Sequence, residues 1–268
     1  MLARTCFSAA AAAALLIFAI PASAAEPAAS PAAPAVAKPQ KTLKVLTPDQ
    51  VDPARILPAP AADGSDAQKA DLAEVQRLYR TRTPERLAQA QWDDTHETSA
   101  LFAGAIGPEF DLARLPRTAE LLALVENDQA VSATMAKKYF LRNRPWAIDP
   151  SLKACDYKPS ANPKTSYPSG HATLSYSVGL ILANLMPEKS VAILARAQEY
   201  AYSREVCAAH YASDTEASHV LGTVVAMDLL ASPQLAPMLE AARAELRAAH
   251  LTGGTTVAMG EAPPSPAH

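Results

Sequence analysis

The chain is poor in several features that mark common classes of protein. Only 6% of its residues are aromatic, and no alternating apolar and polar run has the length of a useful strand, which argues against a sheet protein. The formal net charge is −3, which argues against nucleic acid as a bulk partner. After residue 24 no segment has 18 uninterrupted apolar residues, so we expect no membrane-spanning helix there.

The first 24 residues have the three parts of a secretory signal peptide. Arg4 supplies the positive charge, residues 8–20 (SAAAAAALLIFAI) form an apolar core too short for most membrane spans, and residues 22–24 (ASA) are a small-residue cleavage site. An uncleaved membrane anchor is the alternative. We expect cleavage before Ala25 and an exported protein with no stable membrane insertion afterwards.

Composition divides the remaining chain into a lead-in, a folded part and a tail. Residues 25–60 are rich in Pro and Ala, which predicts a flexible or polyproline-like segment. Residues 251–268 (LTGGTTVAMGEAPPSPAH) have the composition of a disordered tail. The folded domain is therefore expected over residues 61–250.

Nearly every segment of the folded part has helical periodicity, and Ala dominates the hydrophobic content of 49%. Thr83 and Pro84 have the residue types of an N-cap and a first helical position, and so do Ser232 and Pro233. Pro145 is expected to stop the helix before it. We predict an all-α, single-domain bundle with helices over residues 66–80, 83–94, 116–127, 128–143, 172–186, 188–206, 214–230 and 233–249.

The segment KKYFLRNRP (137–145) holds the first of three groups of polar residues. Lys137 and Arg144 are seven residues apart, so a continuous helix would point both side chains the same way. Two such cations could bind an anion together. Read alone, the segment is also what a solvated basic face looks like.

The second group is PSGH (168–171), directly before an apolar segment. Ser169, Gly170 and His171 are therefore expected at a helix N-terminus, where free backbone N–H groups favour an anion. Gly170 would let a ligand approach the backbone closely. The alternative is that Ser169 is merely an N-cap and His171 a surface residue in the first turn.

The third group is SREVCAAHYASD (203–214). Arg204 offers a planar fork that suits phosphate oxygens. His210 and Asp214 are four residues apart, so the carboxylate can hold one ring nitrogen and leave the other free as a base or nucleophile. An ordinary i,i+4 pair on a helix surface is the alternative.

Together the three groups contain too many cations for a carboxylate ligand and too few acids for a metal site, and they suit a tetrahedral oxyanion. The sequence resembles the type 2 phosphatidic acid phosphatase (PAP2) superfamily, which also contains bacterial non-specific acid phosphatases and vanadium haloperoxidases. Within it the resemblance is to the class A acid phosphatases. It is carried by Lys137, Arg144, Pro145, Pro168, Ser169, Gly170, His171, Ser203, Arg204, His210 and Asp214.

The resemblance implies a role for each of these polar side chains. His210 would attack phosphorus and form a phosphohistidine, Asp214 would hold its other ring nitrogen, and His171 would protonate the leaving group. No metal ion and no cofactor are implied. The phosphoryl oxygens would be bound by Lys137, Arg144, Ser169, Gly170 and Arg204.

The resemblance also implies an exported acid phosphatase that hydrolyses small phosphate monoesters with broad specificity, as a homo-oligomer in the periplasm. Cys155 and Cys207 remain after signal cleavage, and an even number of Cys in an exported chain predicts a disulfide. The family carries a Cys pair at these places, which supports the bridge. Two separate buried thiols are the alternative.

The sequence departs from the family around the expected pocket. Tyr211 stands where Trp is usual, Ala208 where Gly is usual and His219 where Arg is frequent, and residues 93–107 (DDTHETSALFAGAIG) are bulkier and more polar than the Gly-rich family stretch. The substrate therefore stays open. The alternatives are a lipid phosphate or pyrophosphate phosphatase, a vanadium-dependent haloperoxidase and a non-catalytic phosphate-binding protein.

Overall fold

The computed structural model describes residues 41–155 and 157–253, and within these ranges the chain forms helices and no strands. The predicted all-α bundle is confirmed. Its helices are α1 (Pro53–Ile56), α2 (Asp66–Thr81), α3 (Pro84–Thr95), α4 (Ala103–Ile106), α5 (Pro116–Phe140), α6 (Pro145–Ile148), α7 (Gly170–Leu185), α8 (Ser190–Val206), α9 (Ala212–Ala231) and α10 (Ala236–Ala248), with short 3₁₀ turns at Ser99–Phe102 and Pro187–Lys189.

Helix α7 is the central helix of the bundle and packs against α5, α8 and α9. Val178, Ile181 and Leu182 on this helix are fully buried, as expected for a helix that is apolar on most sides. Gly222 on α9 allows the closest approach, since a Cβ there would lie only 2.9 Å from the Thr173 carbonyl oxygen of α7. The N-terminus of α7 is therefore held on several sides by neighbouring helices.

Helix α5 corrects one prediction, because residues 116–127 and 128–143 do not form two helices. They form one helix that ends at Phe140, since the sequence between them contains no Gly or Pro to interrupt it. The helix ends where Leu141 adopts a left-handed conformation with φ 52°. Arg144 therefore lies beyond the helix, and the prediction that it shares a helical face with Lys137 is wrong.

The last helix also begins later than predicted. Ser232 and Pro233 do not start it, because residues 233–235 form a turn and Leu235 is the N-cap of α10. The backbone N–H of Leu235 donates to the Ser232 carbonyl oxygen at 3.0 Å, which closes this turn before the helix begins.

The folded part begins earlier than predicted. The expectation of a flexible lead-in over residues 25–60 is wrong for residues 41–60, where Leu46, Val51 and Leu57 are buried in the core. The Asp128 carboxylate on α5 accepts the backbone N–H groups of residues 44–46 at 2.7–2.9 Å. The signal peptide, residues 25–40 and residues 254–268 of the predicted tail lie outside the described residues.

Two further features bear on the expectations from sequence. Cys155 and Cys207 are joined in a disulfide with a Cα–Cα distance of 5.2 Å. Within residues 41–155 and 157–253, no single helix has both the length and the apolar character needed to cross a membrane, although α9 and α10 together, bent by 96°, meet those two criteria.

Candidate active site

The three polar groups of the sequence meet around the N-terminus of α7. A Cβ built on Gly170 would lie 3.8 Å from Lys137 Nζ, so the first group faces the second. His210 of the third group lies within the electrostatic reach of Arg144, Lys137, Arg204 and His171. Residues far apart in the chain therefore share one site.

His210 is held in the short turn between α8 and α9. Its backbone N–H donates to the Arg204 carbonyl oxygen at 3.3 Å, and Ala208 takes a left-handed conformation with φ 53° that allows the chain to turn there. Nδ1 of the His210 ring lies 3.3 Å from Oδ2 of Asp214. The predicted pairing of these two side chains is present, and it directs Nε2 of His210 away from the carboxylate.

Asp214 is fully buried and accepts several hydrogen bonds at the start of α9. Its Oδ2 accepts from the Ser166 hydroxyl at 2.5 Å and from the backbone N–H of Tyr211 at 3.0 Å, the second of these as part of a capping box. Its Oδ1 accepts from Nη1 of Arg142 at 2.7 Å. A carboxylate with these donors is fixed in orientation.

Sequence reasoning missed Arg142, a buried member of this network. Its side chain is 2% exposed and links Asp214 to Asp71 of α2 at 2.8 Å, while Nη1 also donates to the Ser213 hydroxyl at 2.7 Å. Its guanidinium lies over the Tyr211 ring, 4.2 Å from the centroid. The segment KKYFLRNRP contains Arg142, but the motif spacing singles out only its neighbours.

Lys137 lies in the last turn of α5 and Arg144 in the extended segment that follows. Desolvation by burial, together with the Arg144 guanidinium, lowers the pKa of Lys137 from 10.5 to about 7. Nη1 of Arg144 donates to the Ala209 carbonyl oxygen at 3.0 Å, and its Nε donates to the Thr165 hydroxyl at 3.3 Å. The two cations stand close enough to repel each other, and an anion between them would relieve that repulsion.

Both ring nitrogens of His171 have a partner at the end of α3 or in the connection that follows it. Nε2 lies 3.2 Å from the Asp94 carbonyl oxygen, which can only accept, so Nε2 carries the hydrogen. Nδ1 lies 3.4 Å from Oε1 of Glu97. Sequence reasoning marked residues 93–107 as unusual but did not place Asp94 and Glu97 in the site.

Both histidines have a pKa well below the ordinary value of 6.5. Desolvation by burial is the largest cause of both lowered pKa values. The positive charge of a guanidinium is the next cause, from Arg204 for His171 and from Arg144 for His210. Arg204 is itself fully buried and forms an ion pair with Oδ1 of Asp94 at 2.7 Å. Without an anion the site therefore disfavours further positive charge.

Ser169 begins α7 as predicted, because its hydroxyl accepts the backbone N–H of Ala172. The N–H of Ser169 itself donates to the Ser218 hydroxyl at 2.9 Å. Ser203 of the motif has a structural contact with α3. Its hydroxyl donates to Asp93 Oδ2 at 2.5 Å, which ties α8 to α3.

The other residues singled out in the sequence lie around or away from the site. Tyr211 is buried against Arg142, and the Cys207 carbonyl oxygen accepts the Cys155 N–H at 3.2 Å beside the disulfide. His96 stacks on Trp92 with 3.9 Å between ring centroids. His219 stacks on Tyr176 on the outer side of α7 and α9.

The site combines cationic side chains with a helix N-terminus, and these face two neutral imidazoles. Cations and free helical N–H groups stabilise a multiply charged oxyanion, and a carboxylate-oriented imidazole can act as a nucleophile. The arrangement therefore has the parts that phosphoryl transfer requires.

Comparison with known proteins agrees with this chemistry. The model of the PAP2 superfamily matches residues 120–235, which include all three polar groups. An acid phosphatase of Zymomonas mobilis subsp. mobilis is 33% identical over 209 residues, covering 76% of this chain and 79% of that protein. The chain therefore belongs to the PAP2 superfamily, among the class A non-specific acid phosphatases.

Other relatives have similar coverage. A non-specific acid phosphatase of Salmonella typhi is 27% identical over 195 residues, covering 71% of this chain and 78% of that protein. A non-specific acid phosphatase of Providencia stuartii is 27% identical over 201 residues, covering 73% and 81%. A solved PAP2-type phosphatidylglycerolphosphate phosphatase from Bacillus subtilis is a more distant match, with 18% identity and a TM-score of 0.45 over 61% of this chain and 85% of that one.

Proposed function

We propose that the protein is an exported acid phosphatase that hydrolyses phosphate monoesters through a phosphohistidine on His210. The observation that carries the proposal is the His210–Asp214 pair at 3.3 Å, within electrostatic reach of Lys137, Arg144 and Arg204. The relatives named acid phosphatase support the reaction class.

In the first step, Nε2 of His210 attacks phosphorus while the bond between phosphorus and the ester oxygen breaks. The Nδ1 hydrogen of His210 is directed at Asp214, whose negative charge stabilises the imidazolium that forms. His171 gives a proton to the departing oxygen. The phosphoryl oxygens are held by Lys137, Arg144, Ser169, Gly170 and Arg204.

In the second step, His171 takes a proton from water, and the oxygen of that water attacks phosphorus. The bond between phosphorus and nitrogen breaks, which frees His210 and inorganic phosphate. This chemistry uses side-chain cations to neutralise the phosphoryl charge, which is the largest contribution in reactions of this class.

The two histidines must start in opposite protonation states, since His210 attacks as a neutral ring and His171 donates a proton. A bell-shaped dependence of kcat/KM on pH is expected. Desolvation by burial and the nearby cations lower the pKa of His171 in the free protein, and the charge of a bound phosphate dianion would raise it. The substrate therefore supplies part of the charge that makes His171 an acid.

Hydrolysis of a chromogenic phosphate monoester tests the proposal. The wild-type protein should release phosphate with multiple turnovers, and His210→Ala should lose at least about 10³-fold in kcat. A panel that adds a lipid phosphate and a pyrophosphate distinguishes the small monoesters proposed here from membrane substrates. A His210→Ala protein with ordinary activity would contradict the assignment.

The cellular setting belongs to the same proposal. The signal-like residues 1–24 support export to the periplasm, and the apolar side chains exposed on α8 and α9, such as Val191 and Met227, offer a surface for self-association as a homo-oligomer. Cleavage before Ala25 and the mass of the native particle are both open to direct measurement.

A further inference from the structure

The space beside Gly170, on the side where a Cβ would lie, is bordered by the Glu97 carboxylate. A Cβ built on Gly170 would lie 3.7 Å from Oε1 of Glu97, closer than the 3.8 Å to Lys137 Nζ. The same oxygen lies 3.4 Å from Nδ1 of His171. The position where an oxyanion would approach the N-terminus of α7 is therefore adjacent to an oxyanion supplied by the protein.

Neighbouring positive charges attract Glu97 and partly offset its desolvation. A carboxylate is stabilised at a helix N-terminus and by neighbouring cations, and Lys137 and Arg204 both attract this one. Its side chain is 47% exposed, and Glu97 belongs to the short connection between α3 and the following 3₁₀ turn. It can therefore swing away towards solvent without unwinding a helix.

We propose that Glu97 competes with phosphate for the cations of the site and must be displaced before a phosphate ester binds. This inference rests on the proposed function. The added element is a competitor within the protein, which lowers the affinity of the site for phosphate. Protonation of Glu97 removes the negative charge and with it the competition.

His171 and Glu97 face each other through two atoms that both accept hydrogen bonds when the ring is neutral and the carboxyl is ionised. Nε2 donates to the Asp94 carbonyl oxygen, so Nδ1 of a neutral ring would be an acceptor that faces the Glu97 oxygen, which is also an acceptor when ionised. A contact of 3.4 Å between two acceptors is repulsive unless one of them holds a proton. Desolvation raises the pKa of Glu97, which favours a proton on this carboxyl as the pH falls.

The pH dependence follows from the groups that face Glu97. At low pH a neutral Glu97 no longer competes, whereas at neutral pH its charge opposes the entry of a second anion. The titratable and charged groups around it, from every element packed against it, are Lys41, Asp94, Lys137, His171, Tyr200 and Arg204. Comparison of a Glu97 variant with the wild type at each pH cancels the titration of free phosphate, which is the same for both proteins.

The test is the affinity for inorganic phosphate, measured by titration calorimetry on the wild type, Glu97→Gln and a control, Glu199→Gln, at an exposed position of α8. We expect Glu97→Gln to lower the Kd for phosphate roughly three- to tenfold at pH 7. The ratio of the wild-type Kd to the variant Kd should fall towards one at pH 4. The control should match the wild type. Thermal unfolding of each variant verifies that it is folded.

Three results would overturn the inference. An unchanged or raised Kd in Glu97→Gln at pH 7 would show that the carboxylate does not compete with phosphate. A lower kcat with an unchanged Kd would show that Glu97 positions His171 instead. A wild-type protein that neither binds phosphate nor hydrolyses an ester would remove the proposed function itself, and with it this inference.

Discussion

Arg142 donates a 2.7 Å hydrogen bond to Oδ1 of Asp214, on the opposite side of the carboxylate from the oxygen that faces His210. The proposed nucleophile is thus connected, through one carboxylate and one guanidinium, to Asp71 on α2. The network fixes Asp214 from two directions and makes the orientation of His210 dependent on a helix that holds none of the motif residues.

Replacement of Arg142 by Met should destabilise the protein strongly. The change leaves the buried Asp214 carboxylate without its guanidinium partner, and breaking a buried ion pair costs about 3–5 kcal/mol. The free energy of unfolding in denaturant at pH 7 measures this loss. Arg80→Met at an exposed position of α2 is the matched control and should change stability by about 0.5 kcal/mol or less. A loss below about 1 kcal/mol in Arg142→Met would refute the structural role.

Asp214→Asn should lower kcat by at least about 100-fold while KM changes by roughly threefold or less. The carboxylate accepts from Tyr211 N–H on one oxygen and from Arg142 on the other, and an amide would turn an NH₂ group towards one of these donors. The orientation of His210 is then lost. Asp66→Asn serves as the control, because this carboxylate is exposed at the start of α2 and pairs with Lys69. Equal losses of kcat in both variants would indicate a general defect of folding.

Lys137→Met should stabilise the folded protein, with a gain that depends on pH. The pKa of Lys137 falls to about 7 in the folded protein, so between pH 7 and 10.5 the unfolded chain binds a proton that the folded chain has released. Wild-type stability therefore rises with pH across this window. The variant should gain about 1–3 kcal/mol below pH 7, and the gain should vanish towards pH 10.5.

The measurement for Lys137→Met is the free energy of unfolding at pH 6 and pH 9 in phosphate-free buffer. Lys138→Met is the control, since this neighbouring side chain is exposed. A gain that is the same at both values of pH would show that burial of the positive charge is not its cause. The same variant should lose affinity for inorganic phosphate, because Lys137 is one of the proposed ligands.

Removal of the disulfide should cost stability and activity together. Cys155 and Cys207 are 52 residues apart, and closure of a loop of this size in the unfolded chain is worth about 4 kcal/mol in the chain-entropy model. We expect about 2–4 kcal/mol less stability for the double variant Cys155→Ser, Cys207→Ser. Cys207 lies between Arg204 and His210, so kcat should fall as well. If reductant shifts the unfolding of this double variant as much as that of the wild type, the bridge is not the cause.

The sequence predicted the fold class and most helices because helical periodicity and capping residues act over short distances. Ser169 illustrates this, since an N-cap and an apolar run are enough to begin α7. The break expected near Asp128 was wrong because no Gly or Pro interrupts α5 there. The hydrogen bonds that the Asp128 carboxylate accepts from residues 44–46 are a tertiary contact that no local pattern records.

The composition of the site was harder to predict than its motif. The spacing of Lys137 and Arg144 was interpreted as one helical face, whereas the left-handed Leu141 ends the helix and brings Arg144 back by a different path. Arg142 lies between two motif positions, and only the folded chain shows that it faces Asp214. Glu97 lies outside the motif, and only the folded chain shows that it faces His171.

Rapid chemical quench of the wild-type protein with a phosphate ester, followed by peptide mass spectrometry under alkaline conditions, tests the central claim most directly. The account predicts a phosphoryl group on His210 that forms within the first turnover and disappears when the substrate is exhausted. His171→Ala should still accumulate the same adduct with a leaving group that needs no protonation. A phosphoryl group on any other residue, or turnover without an adduct on His210, would contradict the account.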